Sequence, residues 1–322
     1  MRPYRCSSVS LFLLSLGAAC ALGLWRSAGA SRPPGAPAGT PATAPASLPA
    51  SAPATQPGTF RVASFNVLYV NRDLKAVAET IRKADADVVC LQETNAASEK
   101  HLREALGKMY PHATFQPGGA AGGLGILSKT PLRNVRHLPA KFGWFGTHVC
   151  EANLGGRAVQ LVNAHLTATV PPENATVVDT LRLWAATEAV RAKEIPYIVE
   201  NTNPRLPRLI AGDLNAMPNG TAPRFLRDKG FLDSLASCRQ DHEKVTTWKC
   251  ERKGIELSLR LDYVFHTKDI QSTDCQVLPC AASDHSLVVS TLRWAPASTR
   301  PAATGPSARP DANRPAGGRR IP

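Results

Sequence analysis

Between residues 60 and 294, short apolar runs alternate with longer amphipathic segments, a pattern that predicts strands interleaved with helices. Phe60–Val67 has strand character. Asp73 then stands where a helix cap would, ahead of Leu74, Val77, Ala78 and Ile81 at helical spacing. Val88–Leu91 predicts a buried strand, and segments 98–110 and 178–200 predict helices. Further strands are expected at Gly125–Ser128, Thr147–Leu154, Ala158–His165, Leu209–Ala211, Leu261–His266 and Ser286–Leu292. Strands outnumber helices in the second half, and there is no internal repeat. The mixture suggests an α+β fold in which two β-sheets pack face to face with helices outside.

Composition divides the chain into a core and two ends. Residues 1–30 begin with Arg2 and Arg5, run through an apolar stretch from Val9 to Trp25 and close on Ala28-Gly29-Ala30. That order fits an export signal with its cleavage site, so the protein is expected outside the cytoplasm, secreted or periplasmic. The alternative is an uncleaved N-terminal anchor that holds it to a membrane. Residues 31–58 form a Pro/Ala/Ser/Thr linker with too little apolar surface to offset the entropy of ordering, and 296–322 repeat that composition with added arginines. One domain over 59–295 remains.

The charge of +13 invites a nucleic-acid partner, but the ends carry much of it. Four arginines precede residue 60, and five arginines oppose Asp311 after residue 295, leaving +5 for the core. A mildly basic core suits any polyanionic substrate. Six cysteines follow the signal, and export makes disulfides reasonable, with Cys238–Cys250 and Cys275–Cys280 the first pairs to test. Cys90, inside Val88-Val89-Cys90-Leu91, reads as a packing residue. No cysteine spacing makes a zinc site.

The candidate chemistry sits at strand ends, where a rigid sheet passes its chain to a loop. Asn66, Glu93 and His165 each close an apolar run. In Leu209-Ile210-Ala211-Gly212-Asp213-Leu214-Asn215 a carboxylate and a carboxamide stand two residues apart and point to one side of an extended chain. Asp213 can take a proton there and Asn215 can orient water or a phosphate oxygen, while Gly212 leaves room for close approach. The bland reading of Asp213 is an Asx turn. Asp284-His285, with Asp262 some twenty residues earlier, can hold an imidazole in one tautomer and keep it cationic.

Taken in order, Ser64-Phe65-Asn66-Val67, Leu91-Gln92-Glu93, Gly123-Leu124-Gly125-Ile126-Leu127-Ser128, Asn163-Ala164-His165-Leu166-Thr167, Gly212-Asp213-Leu214-Asn215, Leu261-Asp262-Tyr263 and Ser283-Asp284-His285 resemble the endonuclease/exonuclease/phosphatase superfamily. The resemblance covers nearly all of residues 60–294. It implies a four-layer αββα sandwich, the DNase I-like fold, with a cleft at one edge of the paired sheets. It further implies that Glu93 is the principal ligand of Mg²⁺ or Mn²⁺, helped by Asn66 and by Asp284 through water. Asp213 would orient or deprotonate the attacking water, Asn215 and His165 would hold phosphate oxygens, and His285, oriented by Asp262, would stabilise the transition state.

The implied activity is metal-dependent phosphoester hydrolysis, with a phosphodiester of nucleic acid as the leading substrate by analogy with the superfamily's nucleases. A phospholipid or sphingolipid phosphodiesterase is the alternative, and it should show an exposed apolar lip. The inositol-phosphate phosphatase signatures are not clear, and no insertion rich in basic and aromatic residues marks a duplex clamp. A non-enzymatic surface binding module on the same fold predicts a damaged site, whereas the acids, asparagines and histidines are all present. No protein partner is indicated. Outside the motifs, His137 and His148 read as ordinary surface or partly buried histidines, and Arg191 as a solvated helical residue. Trp144, Trp184 and Trp248 read as core packing, with the loop Phe142-Gly143-Trp144-Phe145-Gly146 kept as a substrate contact.

Overall fold

The computed structural model describes residues 58–252 and 255–296, so the signal or anchor, the linker up to residue 57 and the tail from 297 lie outside the described residues. Two six-stranded sheets carry the fold. The first has the order β13 (Ile270–Leu278), β14 (Leu287–Trp294), β1 (Thr59–Asn66), β2 (Val88–Gln92), β4 (Leu124–Ser128) and β3 (His112–Gln116). The second runs β5 (Arg133–Leu138), β6 (Thr147–Leu154), β7 (Arg157–His165), β8 (Arg208–Asp213), β12 (Asp262–His266) and β9 (Leu232–Asp233). A hairpin of β10 (Trp248–Arg252) and β11 (Ile255–Leu259) stands apart.

Strand alternation builds the layers. Phe60 and Val62 of β1, Val88 and Cys90 of β2, Leu161 of β7, Leu209 and Ala211 of β8 and Val264 of β12 all enter one apolar core between the sheets. Their neighbours point outward. Ala63, Phe65, Val89 and Leu91 pack under the helices α1 (Leu74–Ala84) and α2 (Ala96–Leu106), where Val77, Ile81, Leu102 and Leu106 complete a second core. Val162, Ile210, Tyr263 and Phe265 pack under α3 (Val177–Glu200) and α4 (Thr221–Asp228) through Ile195, Ile198, Ala222 and Leu226. The result is an αββα sandwich, as the resemblance implies. A further short helix, α5 (Ser234–Cys238), sends Leu235 into the inter-sheet core.

Local signals act where the pattern placed them. Asp73 caps α1 by accepting from Ala76 N at 3.1 Å, and Asn95 and Ser98 form a capping box at α2. The 98–110 helix begins two residues earlier and stops at Leu106. The close approach at Gly212 is that of the neighbouring backbone: a Cβ there would lie 1.8 Å from the carbonyl oxygen of Ala164 on the next strand.

Four expectations are corrected. Neither expected pair is bonded: Cys238, Cys275 and Cys280, like Cys90 and Cys150, are free thiols. Cys275 lines the inter-sheet core, Cys280 packs on the α1/α2 side, and Cys250 belongs to a cluster in the β10–β11 hairpin, so neither proposed pair shares a neighbourhood. Arg191 is fully buried, because its Nη1 donates to the Thr167 carbonyl at 2.7 Å and its Nε and Nη2 reach Glu188. Trp144 is exposed, whereas Trp248 is buried and Trp184 half-buried under the Arg191 guanidinium. His148, too, is buried inside the second sheet, with Nε2 3.1 Å from Thr114 Oγ1.

Candidate active site

The same alternation that fills the inter-sheet core delivers the polar groups. In β1 the inward positions 60 and 62 continue to Ser64 and Asn66, in β2 positions 88 and 90 continue to Gln92, and in β7 position 161 continues to Asn163 and His165. Asp213 continues β8, and Asp262 is the inward residue at the start of antiparallel β12. Register aligns them: His165 and Asp262 both stand opposite Asp213 on its two neighbouring strands. An apolar core thus turns polar at one edge of the sandwich.

A buried amide seam marks the transition. Gln92 Nε2 donates to Asn163 Oδ1 at 2.7 Å, and Asn163 Nδ2 donates to the carbonyls of Leu91 and Gly125. These bonds cross between the sheets and satisfy groups that would be costly to bury unpaired.

Asn66 Nδ2 donates to Asp213 Oδ2 at 3.2 Å and to Glu93 Oε1 at 3.0 Å. Asp213 Oδ2 also lies 3.7 Å from the Nε2 atoms of His165 and His285. Its Oδ1 accepts from Asn215 N at 2.9 Å, so the Asx turn is present and coexists with the site. On the far side, His285 Nδ1 meets Asp262 Oδ2 at 2.9 Å. Asn215 Nδ2 donates to the carbonyl of Leu166, and Glu93 Oε2 accepts from Tyr69 N. Glu93 and Asn215 adopt left-handed backbone, with φ of 57° and 48°. Such residues concentrate at functional sites because the surrounding structure must hold them there.

Electrostatics follow from burial and neighbours. Burial raises the Asp213 carboxyl above its ordinary range, opposed by His285 and reinforced by Asp262. Burial also opposes charge on His285, but Asp262, Asp213 and Asp284 outweigh it and hold the imidazole well above 6.5. Burial and His285 together lower His165 to about 3, so it is neutral. Glu93 is raised, mainly by burial and partly by Asp284.

Loops form the rim. Phe145 stacks on His165 with centroids 4.0 Å apart, and Trp144 N donates to Thr167 Oγ1. Thr167 is in turn held by buried Glu194, which accepts from both its backbone N–H and its hydroxyl. Trp144, Phe142 and Tyr69 are 57%, 43% and 40% exposed, so aromatic surface faces solvent beside the histidine and beside Glu93.

All eight expected residues therefore fall in one place, and their relations to a metal differ. Asp284 Oδ1 is buried with no partner among the described residues, and Glu93 is an acid beside it. That all-oxygen set fits a hard divalent cation. Asn66 presents its amide nitrogen to Glu93, while its Oδ1 accepts from Leu68 N, so here it positions the carboxylate. Donor atoms of Asp213, Asp262 and His285 also lie within 4.8 Å of one another, a spacing that could hold an ion. We assign those three to mutual hydrogen bonding and proton handling, since His285 Nδ1 is already engaged by Asp262.

Sequence reasoning missed Thr247, Arg260, Asp233 and Glu194, none of which stands in a motif with obvious chemistry, and read Trp248 as core packing alone. A buried-looking Arg260 next to Leu261-Asp262 is the only trace.

Residues 63–285, more than half of the chain, match the Endonuclease/Exonuclease/phosphatase family, and the protein belongs to it. Among curated proteins it is similar to a putative neutral sphingomyelinase of Drosophila melanogaster, 26% identical over 229 residues, covering 62% of this chain and 50% of that protein. The chain thus spans about half the length of that relative. Its fold is similar to that of an endonuclease/exonuclease/phosphatase from Beutenbergia cavernae, with TM-score 0.56 and 18% identity over 73% of this chain and 72% of that one. An AP endonuclease from Archaeoglobus fulgidus superposes with TM-score 0.55 and 17% identity over 72% of this chain and 98% of that one. The family and the relatives support phosphoester hydrolysis.

Proposed function

We propose that the protein is a divalent-metal-dependent phosphodiesterase. The observation that carries this reading is the chain Asp262–His285–Asp213, held at a strand edge beside Glu93 and Asp284. Asp213, with its carboxyl raised by burial and Oδ1 fixed by Asn215 N, is the group to orient water and accept its proton. His285, kept cationic by Asp262, supplies an N–H to the charge that accumulates on phosphate oxygen. Asn66 holds Asp213 and Glu93 in register, and neutral His165 under Phe145 closes the floor. Glu93 and Asp284 would hold Mg²⁺ or Mn²⁺, which when bound neutralises charge and activates oxygen.

Nucleic acid as the substrate is supported by exposed Trp144 and Tyr69, whose faces suit base stacking, and the basic core is compatible with it. A phospholipid or sphingolipid phosphodiester is supported by the same lip, which that reading requires, and by the sphingomyelinase-named relative. The test is incubation of the purified protein with Mg²⁺ or Mn²⁺ against plasmid DNA, RNA, sphingomyelin and phosphoinositide vesicles, with a chelator control. Cleavage of one class, abolished by the chelator, is expected; no cleavage of any would leave a binding module. The Val9–Trp25 run supports export, for which N-terminal sequencing of the mature protein is the check.

A further inference from the structure

Asp262 opens strand β12 while the pair Asp284–His285 lies in the loop before β14, and a third segment with no chemistry of its own lies against both. Thr247 Oγ1 accepts from the backbone N–H groups of Leu261 at 2.9 Å and Asp262 at 3.1 Å. The Thr247 N–H donates to the carbonyl of Leu259 and its carbonyl accepts from Ser286 N at 2.7 Å. Next in the chain, Trp248 Nε1 donates to Asp284 Oδ2 at 3.0 Å, and its ring lies 6.5 Å from that of His285. Lys249 N donates to the carbonyl of Asp284 at 2.9 Å, and Trp248 and His285 pair as an antiparallel bridge.

We infer that Thr247 and Trp248 are positioning residues for the reaction: Thr247 sets where Asp262 stands behind His285, and Trp248 turns Asp284 so that its free oxygen faces the Glu93 side of the site. The inference rests on the phosphodiesterase reading above. Thr247 is buried, so its hydroxyl is what satisfies two N–H groups at the very start of β12, and any shift there moves the Asp262 carboxylate directly. The indole N–H occupies one Asp284 oxygen, while the other is buried without a partner. A tryptophan chosen only to fill the hairpin cluster with Cys250, Leu257 and Leu261 would not need that donor.

Conservative variants separate positioning from packing. Trp248→Phe keeps the apolar ring and deletes the donor. Groups that orient metal ligands typically contribute about 10- to 100-fold, so Trp248→Phe should weaken Mn²⁺ binding by about 10-fold in calorimetric titration and lower kcat on bis(p-nitrophenyl) phosphate by about 10- to 100-fold, with KM within about twofold. Thr247→Val should lower kcat by a similar factor while Mn²⁺ affinity stays within about twofold, and Thr247→Ser should restore most of it. Circular-dichroism melting of each variant checks that the fold is kept. If Trp248→Phe binds Mn²⁺ and turns over like the unsubstituted protein, or if Thr247→Ser is no better than Thr247→Val, the assignment is overturned. Should the unsubstituted protein hydrolyse no phosphodiester, the functional reading fails, and the Mn²⁺ titration of Trp248→Phe alone still decides whether the indole orients Asp284.

Discussion

Asn66 and Asp213, 147 positions apart in the chain, meet at 3.2 Å across the gap between the two sheets. The same amide nitrogen reaches Glu93 at 3.0 Å, so one carboxamide stands between buried Asp213 and half-buried Glu93. Asn66→Asp keeps the shape and replaces the donor by an acceptor, leaving three carboxyls face to face. Loss of about 10- to 100-fold in turnover and roughly 1–3 kcal/mol in stability is expected from the unsatisfied, mutually repelling groups. Urea unfolding and a phosphodiesterase assay read the two effects separately, and an unchanged protein by both measures would refute the placement.

Asp262 supports His285 through the 2.9 Å contact at Nδ1. Asp262→Asn removes the largest influence that raises the imidazole against its burial. A general acid–base group contributes about 10²- to 10⁴-fold, so kcat should fall by that order with little change in melting temperature.

The pH profile should be bell-shaped. The Asp213 and Glu93 carboxyls are raised above 3.8 and 4.5 by burial, so the required carboxylates are lost on the acid side at a pH above those ordinary values. His285 is held well above 6.5, so its cation persists through neutrality and is lost only on the alkaline side. In Asp262→Asn the alkaline limb should move to lower pH, because the charge supporting the cation is gone. A limb that stays in place would disconnect His285 from the reaction.

Stability should fall in acid through His148, which lies outside the site. Burial, with His137 beside it, lowers its imidazole to about 4. Below about 6.5 the unfolded chain takes a proton that the folded one refuses, so stability declines by about 1.4 kcal/mol per pH unit down to about 4. His148→Gln, which keeps a polar group near Thr114, should flatten that slope in denaturant titrations at pH 7 and 4.5.

The Arg260–Asp233 pair, at 2.6 and 2.8 Å and nearly inaccessible, ties the start of β12 to the cap of α5. Removing one partner of such a pair costs about 3–5 kcal/mol, so Asp233→Ala should lower the urea midpoint strongly. Replacing both, with Arg260→Met added, should recover much of that loss, since the desolvation cost of the charges disappears with them. A double variant no more stable than the single one would show that the cap, not the ion pair, is what matters.

Much of this fold could be read along the chain because strand periodicity states which residues share a face. Positions 60, 62, 64 and 66, or 209, 211 and 213, are an inward row whose last members are polar, and that is visible without coordinates. Arg191 misled because the spacing of a helix tells which side a residue is on, not whether a loop carbonyl such as that of Thr167 waits there to be satisfied. Thr247 escaped notice, and Trp248 read only as packing, for the same reason: local spacing does not tell that Asp262 and Asp284 come to lie against them.

The residues at the strand ends, their inward orientation and the family they announce were determined by the sequence itself, since each depends on local alternation and ordered motifs. Tertiary structure alone decided that His165 and Asp262 flank Asp213, that Asn66 points its nitrogen at Glu93, and that Cys275 and Cys280 face different cores. Those relations depend on which strands become neighbours and in what register, a choice made by packing two sheets over one core and not by any short stretch of chain.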